Sequence, residues 1–228
     1  MLRTGVLLVT LSRRITAEAI GTAFLLAAVV GSGIMADRLA GGNVAVALLA
    51  NTLATAATLS ALILVLGPIS GAHLNPLVTL MLRLRGTLSG SEASTYVAAQ
   101  VLGAFAGVAL AHLMFGEPLL AASQHARSGG SQVLAEGVAT FGLLLVVGLS
   151  GKLRAEFVAL AVGAYIAGAY WFTSSTSFAN PAVTLARSMT DTFAGIRPID
   201  VPGFLGGQLV GAVAAIATTR WLSMKTRS

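Results

Sequence analysis

The sequence predicts an all-α membrane protein: six transmembrane helices plus two re-entrant half-helices, arranged as an inverted repeat. Three observations predict it. First, the 228-residue chain is 56% hydrophobic and 10% charged, with a mean hydropathy of +0.86; a soluble globular domain carries about 25% charged residues. Second, its apolar stretches have the roughly 20-residue length that a bilayer demands. Third, the hexapeptide Asn-Pro-x-Val-Thr-Leu occurs twice, at 75–80 and at 180–185, once in each hydrophobic half.

In chain order, the first span runs over 15–36. It follows Met1–Arg14, a basic and apolar segment without a clear small-residue cleavage site, so no signal peptide is expected. Span two covers 44–66 and is followed by a helical piece over 76–84, too short to cross. Span three covers 94–115. The Gly/Ser-rich stretch 116–130 is predicted mobile by composition. Spans four and five cover 131–150 and 155–174. A second short piece follows over 181–190, and span six covers 202–222. The short pieces occupy matching places in a three-plus-three duplication, with repeat one over 15–115 and repeat two over 131–222 of a single 1–228 domain.

Other marks of duplication keep the same order. Ala17-Glu18 and Ala135-Glu136 open spans one and four, each followed by Thr and Phe (Thr22 and Phe24; Thr140 and Phe141). Gln100-Val101-Leu102-Gly103-Ala104 recurs as Gln208-Leu209-Val210-Gly211-Ala212. Three spans per repeat make the halves run in opposite directions.

The formal charge of +6 invites a nucleic-acid reading, but the basic residues are scattered over loops and ends. They fit positive-inside topology instead. With both termini cytoplasmic, Arg3, Arg13, Arg14, Arg83, Arg85, Lys152, Arg154, Arg220, Lys225 and Arg227 lie inside, and Arg38, Arg127, Arg187 and Arg197 outside. The expected location is the inner (plasma) membrane, with the lipid bilayer as partner and no nucleic acid. The chain has no Cys, which excludes disulfides and thiolate metal sites. Many of the 26 glycines fall on helices, where small residues let helices approach closely in lipid.

The chemistry sits at the two Asn-Pro pairs. Asn is a favoured helix cap and Pro is tolerated at the first helical position, so Asn75-Pro76 and Asn180-Pro181 each start a half-helix. Irregular backbone at membrane depth is tolerated where it lines a cavity, and paired half-helices of an inverted repeat meet near the bilayer midplane. Each Asn oxygen caps its own helix, leaving the amide NH2 free to face a shared pore. The positive ends of both half-helices then attract solute oxygens and repel cations. Intramembrane carboxylates are rare and inward-facing. Glu18 and Glu136 are each expected to accept hydrogen bonds from the loop of their own repeat; the alternative is a proton relay, which would make the chain a transporter. Nothing in the sequence suggests a catalytic triad, a phosphate loop or a metal cluster, so neither enzyme activity nor a cofactor is expected.

Ser70-Gly71-Ala72-His73-Leu74-Asn75-Pro76-Leu77-Val78-Thr79 and Asn180-Pro181-Ala182 resemble the two signature loops of the major intrinsic protein family, the aquaporins and aquaglyceroporins. The resemblance covers nearly the whole chain; Leu77 departs from the usual Ala. It implies an aquaporin-like homotetramer, one pore per subunit, passing water and small neutral solutes without energy coupling. It also implies that His73 lines the cytoplasmic mouth, either as a pH-sensitive gate or as a packing residue.

Ungapped spacing from the Asn residues puts the family's outer filter at Thr55, Gly168, Ser177 and Val183; a one-residue shift would put Phe178 in place of Ser177. Val183 stands where the family usually has Arg, so the expected ring is small, uncharged and wide. Arg187, one turn beyond Val183 on a helix, is either a substitute reaching the vestibule or an interfacial anchor. Tyr170, Trp171 and Phe172 read either as an aromatic belt or as a vestibule wall. The Arg-free signature resembles a bacterial subgroup associated with arsenic resistance. The expected cargo is therefore glycerol-like polyols, arsenite, methylated arsenicals and similar metalloid hydroxides, with some water. Alternatives are a water channel with an unusual filter, or a secondary transporter.

Overall fold

The computed structural model describes residues 9–223 and is helical throughout, with no strand among those residues. Eight helices follow one another: α1 Leu11–Leu39, α2 Val44–Ser70, α3 Pro76–Leu84, α4 Gly90–Phe115, α5 Gly130–Leu149, α6 Ala155–Phe172, α7 Pro181–Arg187 and α8 Val201–Ser223. Six of them are long and apolar enough to cross a membrane, and α3 and α7 are the short ones. The protein is a multi-pass membrane protein. Much of Met1–Arg14, together with Lys225 and Arg227, lies outside the described residues.

The helix starts follow local chemistry. Asn43 caps α2, Asn75 caps α3 and Asn180 caps α7 through side-chain oxygens that accept backbone N–H bonds. Ser89 and Glu92 form a reciprocal capping box on α4. Several ends differ from expectation: α1 runs from Leu11 to Leu39 rather than 15–36, and α4 begins at Gly90 rather than 94. Helix α2 continues through Pro68 to Ser70 rather than stopping at 66, and Gly71, at φ 89°, ends it in the left-handed conformation that glycine adopts readily. Helix α7 stops at Arg187 rather than 190. The Arg187 carbonyl accepts from the Ile196 N–H at 3.2 Å, so the chain doubles back there.

The packing repeats across the two halves. Helix α1 lies along α4, and α5 along α8. A Cβ on Gly103 or Gly107 would run into the Ala19 or Ala23 carbonyl oxygen; Gly207 and Gly211 meet Val133 and Gly137 in the same way. This is close approach through small residues, as membrane helices use. Large apolar residues such as Leu53, Val65, Leu102 and Val213 cover the outside.

Candidate functional site

The two re-entrant loops meet back to back. Asn75 caps α3 by accepting the Leu77 N–H at 2.9 Å, and its Nδ2 donates to the Ala179 carbonyl of the other loop at 2.8 Å. Asn180 accepts from Ala182 and donates from Nδ2 to the Leu74 carbonyl at 2.8 Å. The amides are thus not wholly free, as the sequence had suggested. One N–H of each ties the loops together, and the other remains for the cavity that both residues line. Pro76 and Pro181 occupy the first helical positions.

Each loop holds an unusual backbone. Ala72 and Leu74 have φ of 45° and 48°, and their counterparts Ser177 and Ala179 have 51° and 48°. Left-handed backbone costs a non-glycine residue roughly 1–2 kcal/mol, so something must hold it. Glu18 accepts from the His73 and Leu74 N–H groups at 2.9 and 2.8 Å, from the Ser70 hydroxyl at 2.7 Å and from Gln100 Nε2 at 2.8 Å. Glu136 accepts from the Phe178 and Ala179 N–H groups at 2.8 and 2.9 Å and from Gln208 Nε2 at 2.6 Å. The same two amides donate to Thr79 and Thr184. These four residues were visible in the repeat only as marks of duplication; the structure shows them bracing each carboxylate.

A cavity of about 120 Å³ runs past both Asn residues. On one side of them it is lined by Thr55, Tyr170, Ser177, Phe178, Val183 and Arg187, and on the other by His73, Val78 and Leu82. Gly168, expected in the ring, is not there. Ile166 and Tyr170 face the cavity, and Gly168 lies two residues from each, about 200° around the helix; it is exposed on the outer surface with Phe172. Tyr170 supplies the α6 wall instead, 3% exposed, whereas Trp171 and Phe172 are 49% and 59% exposed and sit outside. The hydroxyls of Thr55 and Ser177 are buried without a hydrogen-bond partner.

Arg187 does not reach outward to an interface. It is 2% exposed, its Nε donates to the Ala194 carbonyl, and its guanidinium carbon stacks 3.4 Å from the centroid of the Phe178 ring. A second cation, Arg127, lies 5.1 Å from the same centroid. Its guanidinium donates to the carbonyls of Gly195, Ser175 and Phe193. Composition had suggested that 116–130 is mobile, but this stretch is laced down. Ser123 donates its N–H to Ser188, His125 accepts from Arg197, and the Arg127 N–H donates to Asp200 at 2.8 Å. Nothing in the sequence pattern singled Arg127 out, because its acceptors are mostly backbone carbonyls.

At the other end, His73 is buried with Nδ1 3.0 Å from the Thr79 hydroxyl and its ring 5.2 Å from that of Tyr96. Tyr96 in turn receives a hydrogen bond from Arg14 and donates to the Ser70 carbonyl. Among the described residues no cluster of His, Asp or Glu could hold a metal ion.

Comparison with known proteins agrees with this architecture. The family model described as major intrinsic protein matches residues 6–150. The chain is 56% identical over 217 residues to an aquaglyceroporin, AqpS, of Rhizobium meliloti, covering 95% of this chain and 93% of the relative. It is 32% identical to a probable aquaporin, AqpM, of Archaeoglobus fulgidus, covering 90% and 95%. The X-ray structure of the aquaglyceroporin from Plasmodium falciparum has the same fold, with a TM-score of 0.68 at 22% identity and coverage of 93% and 95%. Duplicated Asn-Pro half-helices in a six-span inverted repeat, and relatives matched along nearly their full length, place this chain in the major intrinsic protein family.

Proposed function

We propose that the protein is a passive channel for small neutral hydroxylated solutes larger than water: glycerol-like polyols, arsenite as its neutral trihydroxide, methylated arsenicals and similar metalloid hydroxides, with some water. The observation that carries this is the ring around Val183. The aliphatic Val183 lines the cavity together with the hydroxyl-bearing Thr55 and Ser177 and the aromatic Tyr170 and Phe178. Such a ring replaces part of a polyol's hydration while accepting its carbon edge. The high identity to a protein named aquaglyceroporin supports the same class.

In this reading Asn75 and Asn180 are the midplane donors, with Pro76 and Pro181 starting the half-helices whose dipoles repel cations. Glu18 and Glu136 are loop supports rather than a proton relay, since their oxygens already accept backbone and amide donors. Both termini are cytoplasmic in the inner membrane, the Arg187 end faces outward, His73 lines the inner mouth, and the working unit is a homotetramer.

Stopped-flow light scattering on proteoliposomes tests it, with water, glycerol and arsenite permeability compared in one preparation. Fast glycerol and arsenite flux with modest water flux is expected. Fast water without solute flux would replace this reading with a water channel, Tyr170 and Arg187 then closing the ring. Saturating flux that follows an ion gradient would point to a transporter.

A further inference from the structure

Among the described residues, two cations at the Arg187 end pair with no carboxylate. Arg127 and Arg187 flank one ring, Phe178, and are 9% and 2% exposed. The ion pairs among the described residues join Arg14 to Glu92, Arg38 to Glu117, Arg154 to Glu156 and Arg197 to Asp200, and neither of these arginines takes part. The nearby carboxylates are engaged elsewhere. Glu136 holds the Phe178 and Ala179 N–H groups, Asp200 pairs with Arg197 and accepts the backbone N–H of Arg127, and Asp191 accepts from Gln124. Buried charges are ordinarily paired.

The two arginines differ in one respect. The Arg127 guanidinium is spent on loop carbonyls. Arg187 donates to the Ala194 carbonyl from Nε, and the Tyr170 hydroxyl is its other polar neighbour. Most of its four terminal N–H groups therefore remain for the cavity it lines. The buried, unpartnered hydroxyls of Ser177 and Thr55 line the same cavity. Outside the spans, burial chiefly, with the charges of Arg127 and Arg187, holds the His125 imidazole below its usual range. A neutral polyol satisfies the donors and leaves the charge uncompensated; an anion satisfies both.

We propose that the Arg187 end contains an oxyanion subsite. It takes a small monovalent oxyanion with a compact apolar end, its oxygens on the terminal N–H groups of Arg187 and on the Ser177 hydroxyl, its apolar end against Phe178 and Val183. Arg127 is a positioning residue there, fixing Phe178 and adding charge. Occupancy blocks the solute path, so the anion competes with neutral cargo; only this consequence rests on the channel reading.

Methanesulfonate is the probe, with gluconate, too large to enter, as the control at equal ionic strength. Methanesulfonate raises the melting temperature of the purified wild-type protein over gluconate, and Arg187→Gln loses that rise. In proteoliposomes with the probe on both sides, glycerol uptake falls about tenfold at ten times the dissociation constant, as occupancy of a single competitive site requires. Equal melting temperatures in the two salts overturn the subsite, and so does a rise that persists in Arg187→Gln, since the anion then binds elsewhere. If Arg187→Gln does not fold, Arg187→Lys keeps the charge but loses the planar fork; an undiminished rise there also overturns it. A melting shift without any glycerol flux keeps the subsite and removes the channel reading instead.

Discussion

The two re-entrant loops are built alike and finished differently. At a constant offset of 105 residues, Asn75 matches Asn180, Leu74 matches Ala179, and Ala72 matches Ser177, with the same left-handed backbone. Tyr96 packs on His73 as Phe204 packs on Phe178, with centroids 5.2 and 5.0 Å apart. The side chains that line the cavity diverge: His73 against Phe178, and Leu82 against Arg187. Duplication therefore preserved what holds the backbone and released what lines the cavity. The backbone parts answer to geometry common to both halves, whereas the lining differs between the two ends of one cavity.

The largest effects should come from breaking the shared part. Glu18→Ala and Glu136→Ala each strip a buried acceptor from several donors, costing about 3 kcal/mol or more. Glu18 accepts one more hydrogen bond than Glu136, from Ser70, so its removal should cost about 1 kcal/mol more; thermal unfolding of the two purified variants checks the order. Glu18→Gln and Glu136→Gln sharpen the point. If both assemble normally and lose a proton-dependent flux, the supporting role is wrong.

The next effects lie in the part that diverged. Phe178→Leu removes the ring on which two guanidiniums stack and should cost about 1–2 kcal/mol, read as a lower melting temperature. His73→Leu should cost less, because among the described residues no guanidinium stacks on that ring; a larger loss at His73 would reverse this ranking of the two ends. Val183→Arg puts a bulky charge into the cavity lining and should cut glycerol flux about tenfold, or ~1.4 kcal/mol of barrier, while water falls less. Equal loss of both fluxes would sink the size argument. The smallest effect is expected from Arg187→Leu, which makes the ends alike at that position. Removing this cation should open a weak proton or cation leak, kept small by the midplane dipoles and measured with a pH-sensitive dye in the vesicle lumen. An unchanged leak would show that the barrier does not involve Arg187.

How far the site could be read depended on the reach of each signal. The Asn-Pro starts and the Ala-Glu openings are short, local and repeated, so the half-helices and their carboxylates could be placed by counting. Gly168 was misplaced by the same counting. It was reached across the loop 173–179, and a shift of two residues there turns a helical position through about 200°. Tyr170 was visible as an aromatic at a span end, but which of three neighbouring aromatics turns inward is settled by how α6 leans on the rest of the bundle. The stretch 116–130 looked loose because composition counts residues and ignores what their backbone meets.

By itself the sequence determined the membrane setting, the number of spans, the two half-helix starts and the pairing of a carboxylate with each loop. These follow from hydrophobic length, capping chemistry and duplication, which act within one segment or between two copies of it. Only the tertiary structure decided which face of α6 lines the cavity, that Arg187 lies flat on Phe178 instead of reaching outward, and that Arg127 closes over the same ring. Those outcomes depend on the rotation of packed helices and on carbonyl acceptors far along the chain. A backbone carbonyl belongs to every residue alike, so no residue type announces it.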